Sequence, residues 1–501
     1  MRRRFITPAG WRRVATSGVL VLLIGVALQA HARGQTAPPR PVFDEAICDL
    51  PNVSPEVRPR LRCGTVSVPR DYANPDAGQF KLAVVVIRSA EQPSLPDPVV
   101  YISGGPGEPL TIFTDNQARH PYAPDRDLIL VDQRGTGRSE PSLCPEIYGK
   151  LRDAALAAVA DATEETLATR RAAYLACRDE ATRHGIALTD FGTRVTVEDF
   201  ERVRQALGVE HWNVYGESYG TTVAMTLMAL HPDAIRSAIL DSVYPPDPKP
   251  LHSAIVADAL AAFFAYCTGE KVCSTSVPDL AGTYRETLDR LGQTPLIVTV
   301  PPQMHRPDNQ VRLTASLFEF LVGNLIYYPT AYPSLPRLIK AVHDGDASGV
   351  GTVFAYELAV YATWNPATAA AVDCRDRPSF RDPLPATANV LERTQLSGVC
   401  DGWSDLGLPP LVPTDTAVPT LVLAGRFDPV AGPALSHHIA ELIGNNARWV
   451  EFPLIGHNVR HFSPCGTTIV AEFIDKPAQA PDTSCIDRTP PIVFVPNTPT
   501  P

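Results

Sequence analysis

The chain has 501 residues, 45% of them hydrophobic, which is enough to bury a large core and to build more than one domain. Its 50 prolines sit in a chain of ordinary apolar content, so they mark long ordered loops rather than disorder. The formal charge is −10 and no basic cluster offsets it outside the first residues, which argues against nucleic acid and anionic lipid as partners.

Met1 to Ala32 reads as an export signal. Arg2, Arg3, Arg4, Arg12 and Arg13 give a basic start, Val14 to Leu28 is mostly apolar, and Ala30-His31-Ala32 fits a small-x-small cleavage site. The apolar run is short for a membrane span and contains Thr16, Ser17 and Gly18, so cleavage after Ala32 is expected rather than stable membrane association. Arg2-Arg3-Arg4-Phe5-Ile6 also resembles a twin-arginine leader, which leaves the export route open. No Cys lies near the cleavage site to carry a lipid. Loss of five Arg and no acid takes the charge of −10 to near −15. The expected location is therefore periplasmic or secreted.

A polar, Pro-containing lead-in, Gly34 to Pro41, precedes the first strands. Cys63 to Val68 alternates like a strand, and Phe80 to Arg88 is rich in Val and Ile. Pro98 to Ser103 runs into Gly104-Gly105-Pro106-Gly107, and Asp127 to Asp132 runs into Gln133-Arg134-Gly135-Thr136-Gly137-Arg138-Ser139. Ala154 to Arg183 and Val197 to Leu207 have helical spacing. A short apolar run ending in Val214 and Tyr215 leads into Gly216-Glu217-Ser218-Tyr219-Gly220, and the amphipathic Thr221 to Leu230 follows at once. Arg236 to Val243 is the next buried-strand candidate.

Short apolar strands alternating with helices predict an α/β fold built on a mostly parallel, doubly wound sheet. The rhythm breaks between 244 and 403, where helical patterns at Ala254–Tyr266, Leu313–Tyr327 and Phe354–Trp364 dominate and strand signals are few. That stretch reads as an inserted helical cap between a first core part, 33–243, and a second, 404–486. The second part resumes with strand Pro419 to Gly425, helix Gly432 to Ile443, strand Arg448 to Pro453 and helix Thr467 to Ile474. Residues 487–501 form a Pro-rich tail with no core of its own. The ten Cys suit an exported, disulfide-bonded chain; spacing does not fix connectivity, and pairing of sequence neighbours is the simplest guess.

Strand, sharp turn and helix around Gly-x-Ser-x-Gly make Ser218 a candidate nucleophile. Acyl transfer by serine also needs a base and an acid that orients it. Asp428 follows the strand ending at Gly425, and His457 follows the next strand, so both fall in loops at carboxyl ends, where ligand groups collect. Backbone N–H groups of Tyr219 and Gly105 are the candidate oxyanion donors. His457 and His461 are four apart, as zinc ligands can be, but no His-Glu-x-x-His accompanies them. No metal and no cofactor are expected.

Ser103-Gly104-Gly105-Pro106-Gly107, Asp132 to Ser139, Gly216 to Gly220, the Asp428 loop and Gly456-His457 resemble the exported α/β-hydrolase aminopeptidases of the prolyl and tripeptidyl type. The Cys465-containing C-terminal segment is similar to the tripeptidyl aminopeptidase-like one. The resemblance implies an α/β-hydrolase fold, a triad of Ser218, Asp428 and His457, and cleavage of peptides from a free N-terminus. Ser103 departs from the pattern, since many relatives have His there. Cys374-Arg375-Asp376 is similar to a cap segment of the family, so Asp376 or the adjacent Asp373 is a candidate for binding a substrate ammonium, with solvated surface acids as the bland alternative. Gly-Glu-Ser-Tyr also resembles serine carboxypeptidases, in which the Glu meets a substrate carboxylate, yet Glu108 stands where they carry Cys. Glu217 is thus a substrate-binding candidate, or a structural acid bonded to backbone or to an Arg such as Arg134. The alternatives to an aminopeptidase are an esterase of the same fold, a carboxypeptidase-like enzyme and an inactive binding protein. Peptide length and oligomeric state are not legible.

Overall fold

The computed structural model describes residues 41–119, 123–160, 163–246, 252–300, 310–361, 363–381 and 398–496. The expected signal and the end of the Pro-rich tail lie outside them. Among the described residues no helix is long and apolar enough to cross a membrane.

Among the described residues eleven strands are formed: β1 Phe43–Ala46, β2 Leu61–Pro69, β3 Gln79–Ile87, β4 Leu95–Ile102, β5 Arg126–Val131, β6 Trp212–Glu217, β7 Ile235–Asp241, β8 Leu296–Thr299, β9 Gln310–Leu313, β10 Thr420–Gly425 and β11 Ala447–Phe452. Nine make one sheet in the order β1-β2-β3-β5-β4-β6-β7-β10-β11. The pairings from β5 through β11 are parallel, and β1, β2 and β3 add antiparallel pairings at one edge. The central strands read as near-continuous apolar runs because both faces are covered. Val100, Val214, Leu240 and Val422 point to one cluster, while their neighbours Tyr101, Tyr215, Ile239 and Leu423 point to the other.

The expected strands and helices are present with shifted ends. Ala154 to Arg183 is two helices, Tyr148–Ala160 and Glu164–Arg183; the side chain of Thr163 accepts the Thr166 N–H and starts the second. The helix expected at Leu313 begins at Ala315, because Leu313 ends β9 and Thr314 caps the helix by accepting the Leu317 N–H. β9 pairs antiparallel with β8, so the insert carries a small two-stranded sheet beside its helices.

The insert has its own apolar cluster, including Phe263, Tyr284, Phe318, Leu321 and Ile339. Its last helix among the described residues, Pro366–Asp376, instead joins the cluster under the main sheet through Ala367, Ala370 and Ala371. Five disulfides link sequence neighbours: 48–63, 144–177, 267–273, 374–400 and 465–485. The described part of the tail lies on the insert, where Phe494 is buried.

Candidate active site

β6 ends at Glu217 and the helix Tyr219–Leu230 starts two residues later, so Ser218 alone must turn the chain. It does so at φ 54° and ψ −124°, a conformation that non-glycine residues rarely adopt. Its N–H donates to Asp241 O at 3.0 Å, and Thr221 Oγ1 donates to its carbonyl at 2.6 Å. The turn needs small neighbours: a Cβ on Gly220 would lie 2.1 Å from Ile102 O.

β10 and β11 pair in parallel register, so the loops after them emerge together. They bring Asp428 and His457 into contact, with Nδ1 2.9 Å from both carboxylate oxygens. Asp428 Oδ1 also accepts the N–H groups of Val430 and Ala431, at 2.8 and 2.9 Å. Both side chains are buried. Burial opposes charge on His457, but the charge and hydrogen bond of Asp428, with Glu217 and Asp241 adding, hold its pKa above the ordinary value. Burial likewise opposes the Asp428 carboxylate, and His457 with the two N–H donors keeps its pKa low. With Nδ1 on Asp428, Nε2 is the free ring nitrogen, and it has no hydrogen-bond partner among the described residues. The insert braces this histidine: Tyr327 O accepts the His457 N–H at 3.1 Å, and the two rings pack 4.4 Å apart.

The Gly104–Gly107 loop lies against the nucleophile, since a Cβ on Gly104 would fall 3.0 Å from Ser218 Cβ. Asp132 fixes the far end of that loop. Its oxygens accept Leu110 N–H at 2.7 Å, Thr111 N–H at 2.8 Å, Thr111 Oγ1–H at 2.8 Å and Arg138 N–H at 2.8 Å. From the insert, Asn365 N–H donates to Gly107 O at 3.1 Å and Trp364 Nε1–H donates to Pro106 O. Tyr219 opens its helix, where the N–H has no intrahelical acceptor.

Glu217 is half-buried and does not meet Arg134. Its carboxyl accepts the hydroxyl of Tyr101, whereas Arg134 is buried on Asp199, at 2.6 and 2.7 Å. Burial raises the Glu217 pKa, Asp241 adds to the rise, and Tyr101, Arg460 and His457 oppose it. Asp373 and Asp376 are buried rather than solvated. Asp373 pairs with the buried Arg377, and Asp376 accepts the Thr193 N–H at 2.8 Å. They lie at the seam between the Pro366–Asp376 helix and the core, where both act electrostatically on Tyr219, the residue after Ser218.

Sequence reasoning missed Asp241, Glu108 and Tyr327. Asp241 closes the apolar run Ala238-Ile239-Leu240 at the end of β7, and an acid there is a readable signal. Tyr327 carries none, because only the fold brings the insert over His457.

A mostly parallel sheet with an elbow serine after β6, and an acid and a histidine after β10 and β11, defines the α/β-hydrolase class. The chain belongs to the alpha/beta hydrolase fold family, which it matches over residues 97–464. It is similar to a tripeptidyl aminopeptidase of Streptomyces coelicolor, with 33% identity over 37% of this chain and 36% of the relative. It is also similar to a proline iminopeptidase of Neisseria gonorrhoeae, with 26% identity over 31% of the chain and 36% of the relative. Serine protease Hip1 of Mycobacterium bovis is 25% identical over 58% of each chain. The chain thus spans about a third of the length of the first curated relatives it matches, 36%. Among solved structures, proline iminopeptidase of Mycobacterium smegmatis covers 83% of this chain and 98% of its own, at 15% identity and a TM-score of 0.43.

Proposed function

We propose that the protein is an exported serine peptidase that releases short pieces from the free N-terminus of peptides through an acyl-enzyme. The observation that carries this reading is the strained Ser218 turn and the buried Asp428–His457 pair, tied together by Asp241, whose O accepts the Ser218 N–H and whose carboxylate accepts the N–H groups of Val459 and Arg460 just after His457. The peptidase names of the relatives support the choice of amide over ester substrates, and five disulfides support export.

In this mechanism His457 Nε2 takes the Ser218 proton as Oγ attacks the scissile carbonyl. Asp428 holds the imidazole in the tautomer that leaves Nε2 as acceptor, and stabilises the imidazolium that follows. The N–H groups of Tyr219 and Gly105 receive the oxyanion, each worth roughly 3 kcal/mol of barrier. His457 then protonates the leaving amine, and water repeats the cycle on the acyl-enzyme.

The test is labelling of the mature protein by an organophosphonate, together with a panel of aminoacyl- and tripeptidyl-nitroanilides against short acyl esters. Ser218→Ala should abolish labelling and lower kcat on the order of 10⁶-fold. Turnover of esters alone would sink the peptidase reading, and failure to label would sink the serine mechanism.

A further inference from the structure

The donor assigned to Gly105 lies on a loop that the core holds on one side and the insert on the other. On the core side, Gln133 Nε2–H donates to Ser103 O at 3.2 Å, and Gly104 packs on Ser218. Within the loop Glu108 folds back, so that a Cβ on Gly104 would lie 3.4 Å from its Oε2. Gly105 and Gly107 stand at φ 104° and 102°, a region that glycine enters and leaves at no steric cost. A backbone with that freedom needs outside partners to keep a donor aimed at one point.

The carbonyls of Pro106 and Gly107 find those partners on the insert. Trp364 Nε1–H donates to Pro106 O, and Asn365 N–H donates to Gly107 O at 3.1 Å. The indole lies across both glycines: a Cβ on Gly105 or on Gly107 would fall 3.0 Å from Trp364 Nε1. A Cβ on Gly107 would also lie 2.6 Å from Asn365 O. This segment of the insert is itself pinned. Tyr148 donates its hydroxyl to Trp364 O at 2.7 Å. Asn365 Oδ1 accepts the N–H groups of Ala367 and Thr368, at 3.0 and 3.3 Å, and starts the helix Pro366–Asp376. Thr368 Oγ1–H then donates to Gly135 O at 2.6 Å, in the segment after β5.

We propose that Trp364 and Asn365 are positioning residues of the oxyanion hole: docking of the insert fixes the Gly104–Gly107 loop with the Gly105 N–H aimed at the developing oxyanion. They act through the loop backbone and not on the reacting atoms. The proposal rests on the serine mechanism and deepens it, since the insert then supplies part of the catalytic geometry. Removing an oxyanion donor outright costs about 10²–10³ in kcat. Loosening the loop that carries one should cost less, about 10-fold, because the donor is still present part of the time.

The experiment uses the mature protein, whichever nitroanilide or ester of the panel it turns over best, and a peptide boronic acid. The tetrahedral adduct of a boronic acid on serine places an oxygen where the oxyanion forms. Trp364→Phe keeps an aromatic ring and removes the N–H. It should lower kcat about 10-fold with KM changed by no more than about 2-fold, and weaken boronic acid binding by about the same 10-fold. The acid limb of the pH profile, set by His457, should stay in place. Tyr148→Phe, which frees the Trp364 carbonyl, should give the same pattern at about 3-fold. A rise in KM with kcat unchanged would make Trp364 a wall of the substrate pocket and overturn the proposal. A fall in kcat with boronic acid affinity intact, a shifted acid limb, or wild-type values in both variants would overturn it equally. A wild type that neither takes the phosphonate label nor binds the boronic acid would bring down the serine reading itself, a failure distinct from all of these.

Discussion

Ser218, Asp428 and His457 were readable because each is tied to a local rule. A nucleophile elbow needs small residues two positions either side of Ser218, and parallel strands deliver their following loops to one edge. The partners of Glu217 and Asp376 were not readable, because they are set by contacts far apart in sequence: Tyr101 lies 116 positions from Glu217, and Thr193 lies 183 from Asp376. At this scale the proposed chemistry rests on the Asp428–His457 bond. Asp428→Asn should lower kcat by about 10⁴ while leaving the fold intact, because the amide no longer selects the tautomer with Nε2 free. The pH dependence follows from the same bond. Asp428 raises the His457 pKa, and the base works only when neutral. Activity is therefore lost as pH falls through a value above the ordinary imidazole value of about 6.5. Removing the Asp428 charge should move that acid limb to lower pH. A pH profile of kcat/KM for wild type and for the residual activity of the variant measures both; an unmoved limb would mean that another group sets it.

The end of β7 joins the two halves of the site. The backbone oxygen of Asp241 accepts the Ser218 N–H at 3.0 Å. Its side chain accepts the N–H groups of Val459 and Arg460, at 2.8 and 2.9 Å, which open the short helix Val459–Phe462 just after His457. Tyr215 donates its hydroxyl to the same carboxylate at 2.5 Å, and the Asn458 N–H donates to Ser242 Oγ at 2.8 Å. One residue thus positions both the nucleophile turn and the histidine loop. Asp241→Ala would strand several buried donors at once, so a loss of about 3 kcal/mol or more is expected in urea unfolding. Asp241→Asn should cost less and reduce kcat, since one side of the amide still accepts. Periodicity found the strands of the main sheet other than β1, and most helices, but boundaries moved where a cap decides them. Thr163 and Thr314 each accept an N–H three residues on, and each starts a helix that apolar spacing alone had drawn too long. The β8–β9 pair was hidden because two four-residue strands carry too little alternation to stand out from helical neighbours.

On the scale of the whole molecule, the insert is fastened to the sheet core at further places besides the seam of its Pro366–Asp376 helix. Tyr327 meets His457, Trp364 and Asn365 meet the Gly104–Gly107 loop, and the tail crosses back from the core onto the insert helices. The disulfides reinforce individual segments, and their loops differ in length, with sequence separations of 33 for Cys144–Cys177 and 6 for Cys267–Cys273. Loop-closure entropy then makes loss of the first bridge worth about 4 kcal/mol and of the second about 2. The tail fastening is non-covalent and depends on apolar burial. Phe494 is 5% exposed among Phe263 and Tyr266, 6.2 Å from each ring centre. Backbone bonds flank it, from Ile492 N–H to the Tyr266 hydroxyl at 3.1 Å and from Val495 N–H to Pro333 O at 2.9 Å. Phe494→Ala would open a cavity at that contact, and a loss of about 3 kcal/mol is expected for the insert. Because Ser218, Asp428 and His457 stand in the turn and loops after β6, β10 and β11, that loss should appear first at the insert. Hydrogen exchange should quicken in the helix His252–Gly269, while β6 and β10 keep their protection below the global transition. Equal quickening in the sheet and the insert would mean that the two unfold as one unit and that the tail holds the whole molecule rather than its roof.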